Sequence, residues 1–300
     1  MNKGKLLFFG LFLCGLYSLS AQELPRISPT GTLIQKVGLV EVRITYGRPS
    51  VRGRKGDIWG ELVPFGQLWR TGANEATRFS VSEDVTLNGK ALSAGTYALF
   101  TIPRKREDWD VILTTDTASW GTDGYDPEHE VLRIRAEGDK SCKPVVETLR
   151  FSVEDIDETS AQIVLHWEKR SCRFRLETDT HAQAMKNIRN AIAALDKENP
   201  QPDDWKVYAR SAEYYVQEVT QNDADKRKTA MEWVEEGLEI HQKHYLLYWL
   251  KARLLAQKTD FSGAIDYARK AIRIGVGHQG NGFESQERIR RFIRSWETKR

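Results

Sequence analysis

The chain has 300 residues and a formal net charge of +3, with 40% hydrophobic and 10% aromatic residues. Such a length suits two domains with cores of ordinary size. The near-neutral charge excludes a global electrostatic pull toward nucleic acid or an anionic membrane surface.

The first residues read as an address label. Lys3 and Lys5 form a basic start, residues 6–19 an apolar run, and Ser20-Ala21 a small-residue end before Gln22. That is the order of parts in a secretory signal peptide. The run is short for a membrane span. Lipid attachment at Cys14 is disfavoured, because Leu13 is large where that cleavage wants a small residue. The expectation is a signal peptide over 1–21, no transmembrane segment after its removal, and a periplasmic or secreted mature chain.

Residues 22–178 are expected to form one all-β domain. Short apolar or alternating runs bounded by turn residues predict strands at 32–37, 40–46, 78–81, 85–87, 96–102, 109–114, 131–135, 145–153, 161–167 and 173–176. In the second, Val40, Val42, Ile44 and Tyr46 alternate with Glu41, Arg43 and Thr45, so one face is wet. Asn88-Gly89 is the strongest hairpin signal, because both turn positions favour positive φ. Along 96–102, Tyr97, Leu99 and Thr101 face away from Ala98, Phe100 and Ile102. Many short strands with regular turns indicate a β-sandwich or a flattened barrel. Taking 145–153 and 161–167 as a hairpin about Asp157 sets Cys142 and Cys172 opposite one another. In an exported protein that placement predicts a Cys142–Cys172 disulfide.

Residues 48–77 break this pattern. Glycines and prolines interrupt them every few positions, and Trp and Arg are frequent: Arg48-Pro49, Arg52-Gly53-Arg54, Ile58-Trp59-Gly60, Val63-Pro64, and the run Trp69-Arg70-Thr71-Gly72-Ala73-Asn74-Glu75-Ala76-Thr77. A loop this long is usually a functional loop or a plug over a core. Here the sequence resembles the domain of unknown function 2911 (DUF2911) family, with Tyr46 among the matching residues and a likeness reaching from about residue 29 to 178. The resemblance implies a fold unit and no particular activity. A second loop of similar composition, 115–130, contains Trp120-Gly121 and Gly124-Tyr125-Asp126-Pro127 and is expected near the first.

Residues 179–300 change period. An Ala-rich stretch from Thr180-His181 to Lys197 reads as a helix, stopped by Asn199-Pro200. Ala230 and Ala264 are 34 positions apart, as are Gly237 and Ala271, and Tyr214 and Tyr248. That is the tetratricopeptide period, with small residues where paired helices approach. Tyr248, Ala252 and Leu255, then Ala264, Tyr267, Ala268 and Ala271, resemble one such repeat, although Lys251 stands where the repeat usually has Leu. An earlier unit, Trp205-Tyr208-Ala209-Ala212 with Ala230-Trp233-Gly237, needs a longer linker through 221–226. Residues 285–298 read as a terminal capping helix.

The chain contains no nucleophile elbow, zinc-protease helix, phosphate-binding loop or paired Cys-x2-Cys. His241 and His244 lack a nearby third ligand and read as a solvated helix face. Glu128-His129-Glu130 reads as an exposed loop, and the glycine-rich stretch 275–282 as a helix stop and linker. No catalytic residue, metal site or cofactor is expected. The remaining constellation is Arg48, Arg52, Arg54, Trp69, Arg70, Asn74 and Glu75. Guanidinium forks and Trp faces suit a small anionic or sugar ligand. Equally, Arg70 and Arg54 would pair with Glu75 and Asp57 under a Trp cover. Two functions follow: an exported non-enzymatic binding or scaffold protein whose helical repeats meet a protein partner, or a hydrolase or small-molecule-binding protein using loop 48–77. The absence of a catalytic constellation favours the first.

Overall fold

The computed structural model describes residues 24–106, 108–139, 143–218, 223–275 and 286–300. The expected signal peptide therefore lies outside the described residues. The chain forms two compact units, Met1–Thr180 and His181–Arg300.

The first unit is an antiparallel, nearly closed barrel. β1 (Thr30–Val37) and β2 (Val40–Gly47) form a hairpin, followed after the long loop by β3 (Thr77–Val81). Next come β4 (Val85–Leu87), β5 (Lys90–Leu92), β6 (Gly95–Ile102), β7 (Trp109–Thr114) and β8 (Glu130–Asp139). β9 (Val146–Glu154), β10 (Ser160–Glu168) and β11 (Arg170–Glu177) complete the unit. Their order in the sheet is β1-β2-β3-β6-β7-β8-β11-β10-β9. The chain just past β2 joins the far edge: the Val51 N–H donates to Glu147 O at 2.8 Å, and Leu149 N–H to Pro49 O at 2.9 Å. This pairing covers part of the β9 edge that an open sheet would leave unpaired.

The predicted alternation decides which side chains enter. Val40, Val42, Ile44 and Tyr46 all face the main core. Tyr97 and Leu99 join them there, whereas Ala98 and Phe100 face outward into a second, smaller cluster with Ala76 and Ile112. Asn88 and Gly89 both have positive φ and turn β4 into β5. That short hairpin pairs with β11 where β8 leaves it, and Asn88 Nδ2 donates to Arg135 O at 2.6 Å.

One expectation is corrected here. β9 and β10 pair as foreseen as far as Glu168 opposite Val146, but the chain then reverses at once into β11. Cys172 consequently sits opposite Leu165 on one side and Gly138 on the other. The β9–β10 hairpin ends at Glu168 and does not extend to Cys172. Cys172 is a buried free thiol, and Cys142 lies outside the described residues.

The second unit contains α1 (Thr180–Ala193), α2 (Trp205–Glu218), α3 (Ala224–Ile240), α4 (Tyr245–Gln257), α5 (Phe261–Ile274) and α6 (Gln286–Glu297). Only α1 starts in the first unit, at Thr180. Asp223 caps α3 by accepting from the Lys226 N–H, and Asp260 caps α5 by accepting from the Gly263 N–H. α2 packs on α3 and α4 on α5, with α4 also against both earlier helices and α6 against α5. In α6, Ile289, Ile293 and Trp296 are buried, the face expected of a closing helix. No described helix is long and apolar enough to cross a membrane.

Burial repeats along this unit, with one difference from the expected spacing. Ala230 and Ala264, and Gly237 and Ala271, are all buried. In the first helix of each pair, however, Trp205, Tyr208 and Ala212 correspond to Tyr245, Tyr248 and Ala252, a spacing of 40. Tyr214 is only partly buried, so its distance of 34 from Tyr248 does not mark equivalent positions. Extra chain between α2 and α3 shifts the first helices and leaves the second helices in step.

Candidate functional site

Loop 48–77 closes one end of the barrel. Ile58, Val63 and Trp69 are buried in its core, with Trp59 packed against it. The Trp59 ring lies 5.7 Å from that of Trp69, 5.1 Å from Trp109 and 5.9 Å from Trp167. Trp69 also stacks on Trp167 at 6.1 Å. Trp59 Nε1 donates to Trp167 O and Trp69 Nε1 to Gly72 O, whereas Trp167 Nε1 is buried without a partner among the described residues. Gly47 is required beside this turn, because a Cβ there would stand 2.0 Å from Ala73 O.

The other candidate residues have specific employment. Arg48 Nε donates to Leu149 O, and Arg54 donates to Val51 O and Ser50 O. Both therefore brace the seam where the barrel closes. Arg52 Nη2 donates to Ile27 O at 2.9 Å, and Asn74 Nδ2 to Ser28 O at 2.9 Å. Glu75 accepts from Arg26 Nη1 at 2.7 and 2.8 Å. That hydrogen bond is the largest cause holding the Glu75 carboxyl below its ordinary value.

The expected Arg70–Glu75 pair is not formed. Glu75 is half exposed and turned to Arg26, while Arg70 Nε is buried with no partner. Burial lowers the Arg70 pKa. The expected Arg54–Asp57 pairing is likewise replaced by the two carbonyl bonds of Arg54. The nearness of the second loop holds: Glu75 bridges to Trp120, and the Ala76 N–H donates to Ser119 O.

A polar network on the outer face of β6–β8 escaped the sequence reading. Asp110 is 6% exposed and accepts from Arg104 at 2.8 Å and Arg135 at 2.7 Å. Burial pushes its carboxyl up, but these two hydrogen bonds outweigh it and hold it below its ordinary value. Arg133 is shared between Asp110 and Glu130, and Tyr125 donates to Glu130. Burial, with Glu130 beside it, pushes the Tyr125 hydroxyl up to about 12. The alternation of Arg133 and Arg135 along β8 was the available signal, but finding Asp110 beside them required the strand register.

In the helical unit, a cleft of about 550 Å³ lies among the α1–α2 connection, α2 and α3. Leu195, Pro200, Pro202 and Tyr208 give it apolar walls, and Asp196, Asp204, Glu236 and Glu239 surround them with Lys197. Lys197 is tied to Glu236 at 2.9 Å, so the cleft keeps a negative excess. His241 and His244 are not a helix face. They bracket the α3–α4 turn, with rings 5.0 and 4.4 Å from Trp205, and His244 Nδ1 accepts from the Leu246 N–H. Among the described residues no cluster of three or more His, Cys, Asp or Glu is placed to hold a metal. Glu128 serves the turn capped by Asp126, and the glycine-rich stretch lies outside the described residues beyond Gly275.

The molecule is thus a barrel plugged by its own Trp-rich loop, followed by a helical unit with an acidic cleft. Residues 28–176, the barrel, match the family model described as a protein of unknown function, DUF2911. No curated protein and no solved structure matches the chain.

Proposed function

We propose that this chain is an exported, non-enzymatic binding or scaffold protein, working in the periplasm or outside the cell, whose tetratricopeptide-like helices present the surface for a protein partner. One observation carries this reading. Arg48, Arg54 and Trp69 are bonded within the loop and to the barrel, as suits a plug, and Arg52, Asn74 and Glu75 are occupied by residues 26–28, so six of the seven loop candidates are engaged in holding chain rather than set for chemistry. The helical unit supports the partner role through paired helices with recurring buried small residues and a negatively charged cleft. Charge complementarity points to a partner offering basic side chains there. Export rests on the basic, apolar and small-residue order of residues 1–21.

Arg70 favours a second reading, a small anionic or sugar ligand at loop 48–77, because its Nε is buried without a partner. Site-specific photocrosslinking in the native host separates the two. A crosslinker at Glu239 should trap a protein, and thermal unfolding with a panel of small anions and sugars should show no shift. A ligand shift abolished by Arg70→Lys, with no crosslinked protein, would reverse the order. Intact-mass measurement should find a chain beginning at Gln22.

A further inference from the structure

The first described residues run across the plugging loop and are held at four successive positions. Glu75 takes the Arg26 guanidinium through both carboxylate oxygens, at 2.7 and 2.8 Å. Arg52 takes the Ile27 carbonyl and Asn74 the Ser28 carbonyl, each at 2.9 Å. The Arg48 N–H takes the Pro29 carbonyl at 2.9 Å. Sheet pairing begins only at Thr30. The apolar side chains of the segment are left outside: Leu24 is 68% exposed and Ile27 75%. What is gripped is one cationic side chain and the backbone that follows it. This is how an extended peptide is recognised.

The plug does not need these three grips. The core is filled by Ile58, Val63, Trp59 and Trp69, and none of the Arg52, Asn74 or Glu75 side chains belongs to it. Arg52 and Asn74 hold left-handed backbone angles, φ 50° and 65°: Arg52 lies with Gly53 in the turn that the Arg54 N–H closes on Val51 O at 3.1 Å, and Asn tolerates that region.

We propose that Arg52, Asn74 and Glu75 form a peptide-binding site for an extended segment carrying an arginine followed by two free backbone carbonyls, with Arg26–Ser28 as its resident occupant. The occupant is exchangeable. Arg26 and Glu75 are each 49% exposed, and pairs of that exposure are weak and screened by salt. The segment stays in place chiefly because its attachment gives it an effective concentration on the order of millimolar. A partner with the same pattern competes for the site once that advantage is removed.

The test uses the full mature chain. Arg26→Glu repels the resident segment from Glu75 and leaves every site residue intact. A fluorescent peptide copying residues 24–31 should bind this variant saturably and at least tenfold more tightly than it binds wild type. Replacing the arginine of the peptide by glutamate, or adding Glu75→Gln to the protein, should each weaken binding at least tenfold. An unchanged tryptophan emission spectrum reports that the plug is intact. In parallel, trypsin should cut after Arg26 several-fold faster in Glu75→Gln than in wild type. A folded Arg26→Glu chain that shows no saturable binding, or binds both peptides alike, would reduce the segment to a covalent tether and overturn the proposal.

Discussion

Trp69 and Thr101 exchange a reciprocal pair of backbone hydrogen bonds, 2.8 Å from the Trp69 N–H and 2.9 Å from the Thr101 N–H. The pair adds one rung beyond the β3–β6 ladder, which ends at Thr77 opposite Leu99, and the Trp69 ring stacks on Trp167. Thr71 continues the attachment by donating to Thr101 Oγ1 at 3.1 Å. The plug is therefore a structural continuation of the barrel wall.

Trp69→Ala should then destabilise the barrel unit by about 3–5 kcal/mol, the range for deleting a large buried aromatic. Denaturant titration followed by circular dichroism measures it. A loss below about 1 kcal/mol would mean that the Trp cluster is dispensable packing.

Glu75→Ala should cost only about 0–1 kcal/mol, since both partners of the Arg26–Glu75 pair are 49% exposed. A buried Arg70–Glu75 pair would have demanded roughly 3–5 kcal/mol. Thermal unfolding of Glu75→Ala against wild type distinguishes these, and a large loss would restore the buried pair.

Asp110→Asn should cost about 1–3 kcal/mol. That is less than a fully buried pair because Arg104 and Arg135 keep 35% and 49% exposure. The pH dependence has a definite sign. The folded pKa of Asp110 lies below its unfolded value, so its contribution is complete above the ordinary carboxylate range. It disappears as pH falls through the depressed folded value. The wild-type melting temperature should fall more steeply than that of Asp110→Asn as the pH drops below the ordinary carboxylate range. Parallel curves would remove Asp110 as a source of acid sensitivity.

At the alkaline end, Tyr125 moves the other way. Its folded pKa is raised from 10.0 to about 12, so its contribution is present below 10 and is lost as pH rises through the raised value. The tyrosinate absorbance titration of wild type minus Tyr125→Phe should show a group ionising well above the ordinary tyrosine range. A difference curve centred near the ordinary value would contradict the Tyr125–Glu130 contact.

Cys172 should resist thiol reagents in the native chain and react once it is unfolded without reductant. It is buried and free, and burial pushes its pKa up, so little nucleophilic thiolate forms. Mass mapping of the tagged residue decides it. Failure to tag Cys172 in denaturant would indicate a bridge.

Local chemistry was enough for several features. Alternation in 40–46 and 96–102 placed Val42, Ile44, Tyr97 and Phe100 on their proper faces, because a strand's side-chain period depends on its own backbone alone. Asn88-Gly89 specified its turn for the same reason, and Trp59 and Trp69 were legible as a cover because large aromatics among glycines need a core. Partners across long separations were not legible. Glu75 sits five positions from Arg70 in sequence yet pairs with Arg26, since the turn through Thr71 and Asn74, both at positive φ, directs it away from its neighbour. Cys172 lost its expected opposite when the chain reversed after Glu168, a choice made by sheet pairing with β8 and β10. Barrel closure through Val51 and Glu147, and the gathering of Arg104 and Arg135 on Asp110, likewise depend on which strands become neighbours. The sequence alone determined faces, turns and the change of period near Thr178. Only the tertiary structure decided the charged and backbone partners, because a side chain's local periodicity sets where it points but not what the rest of the chain brings to meet it.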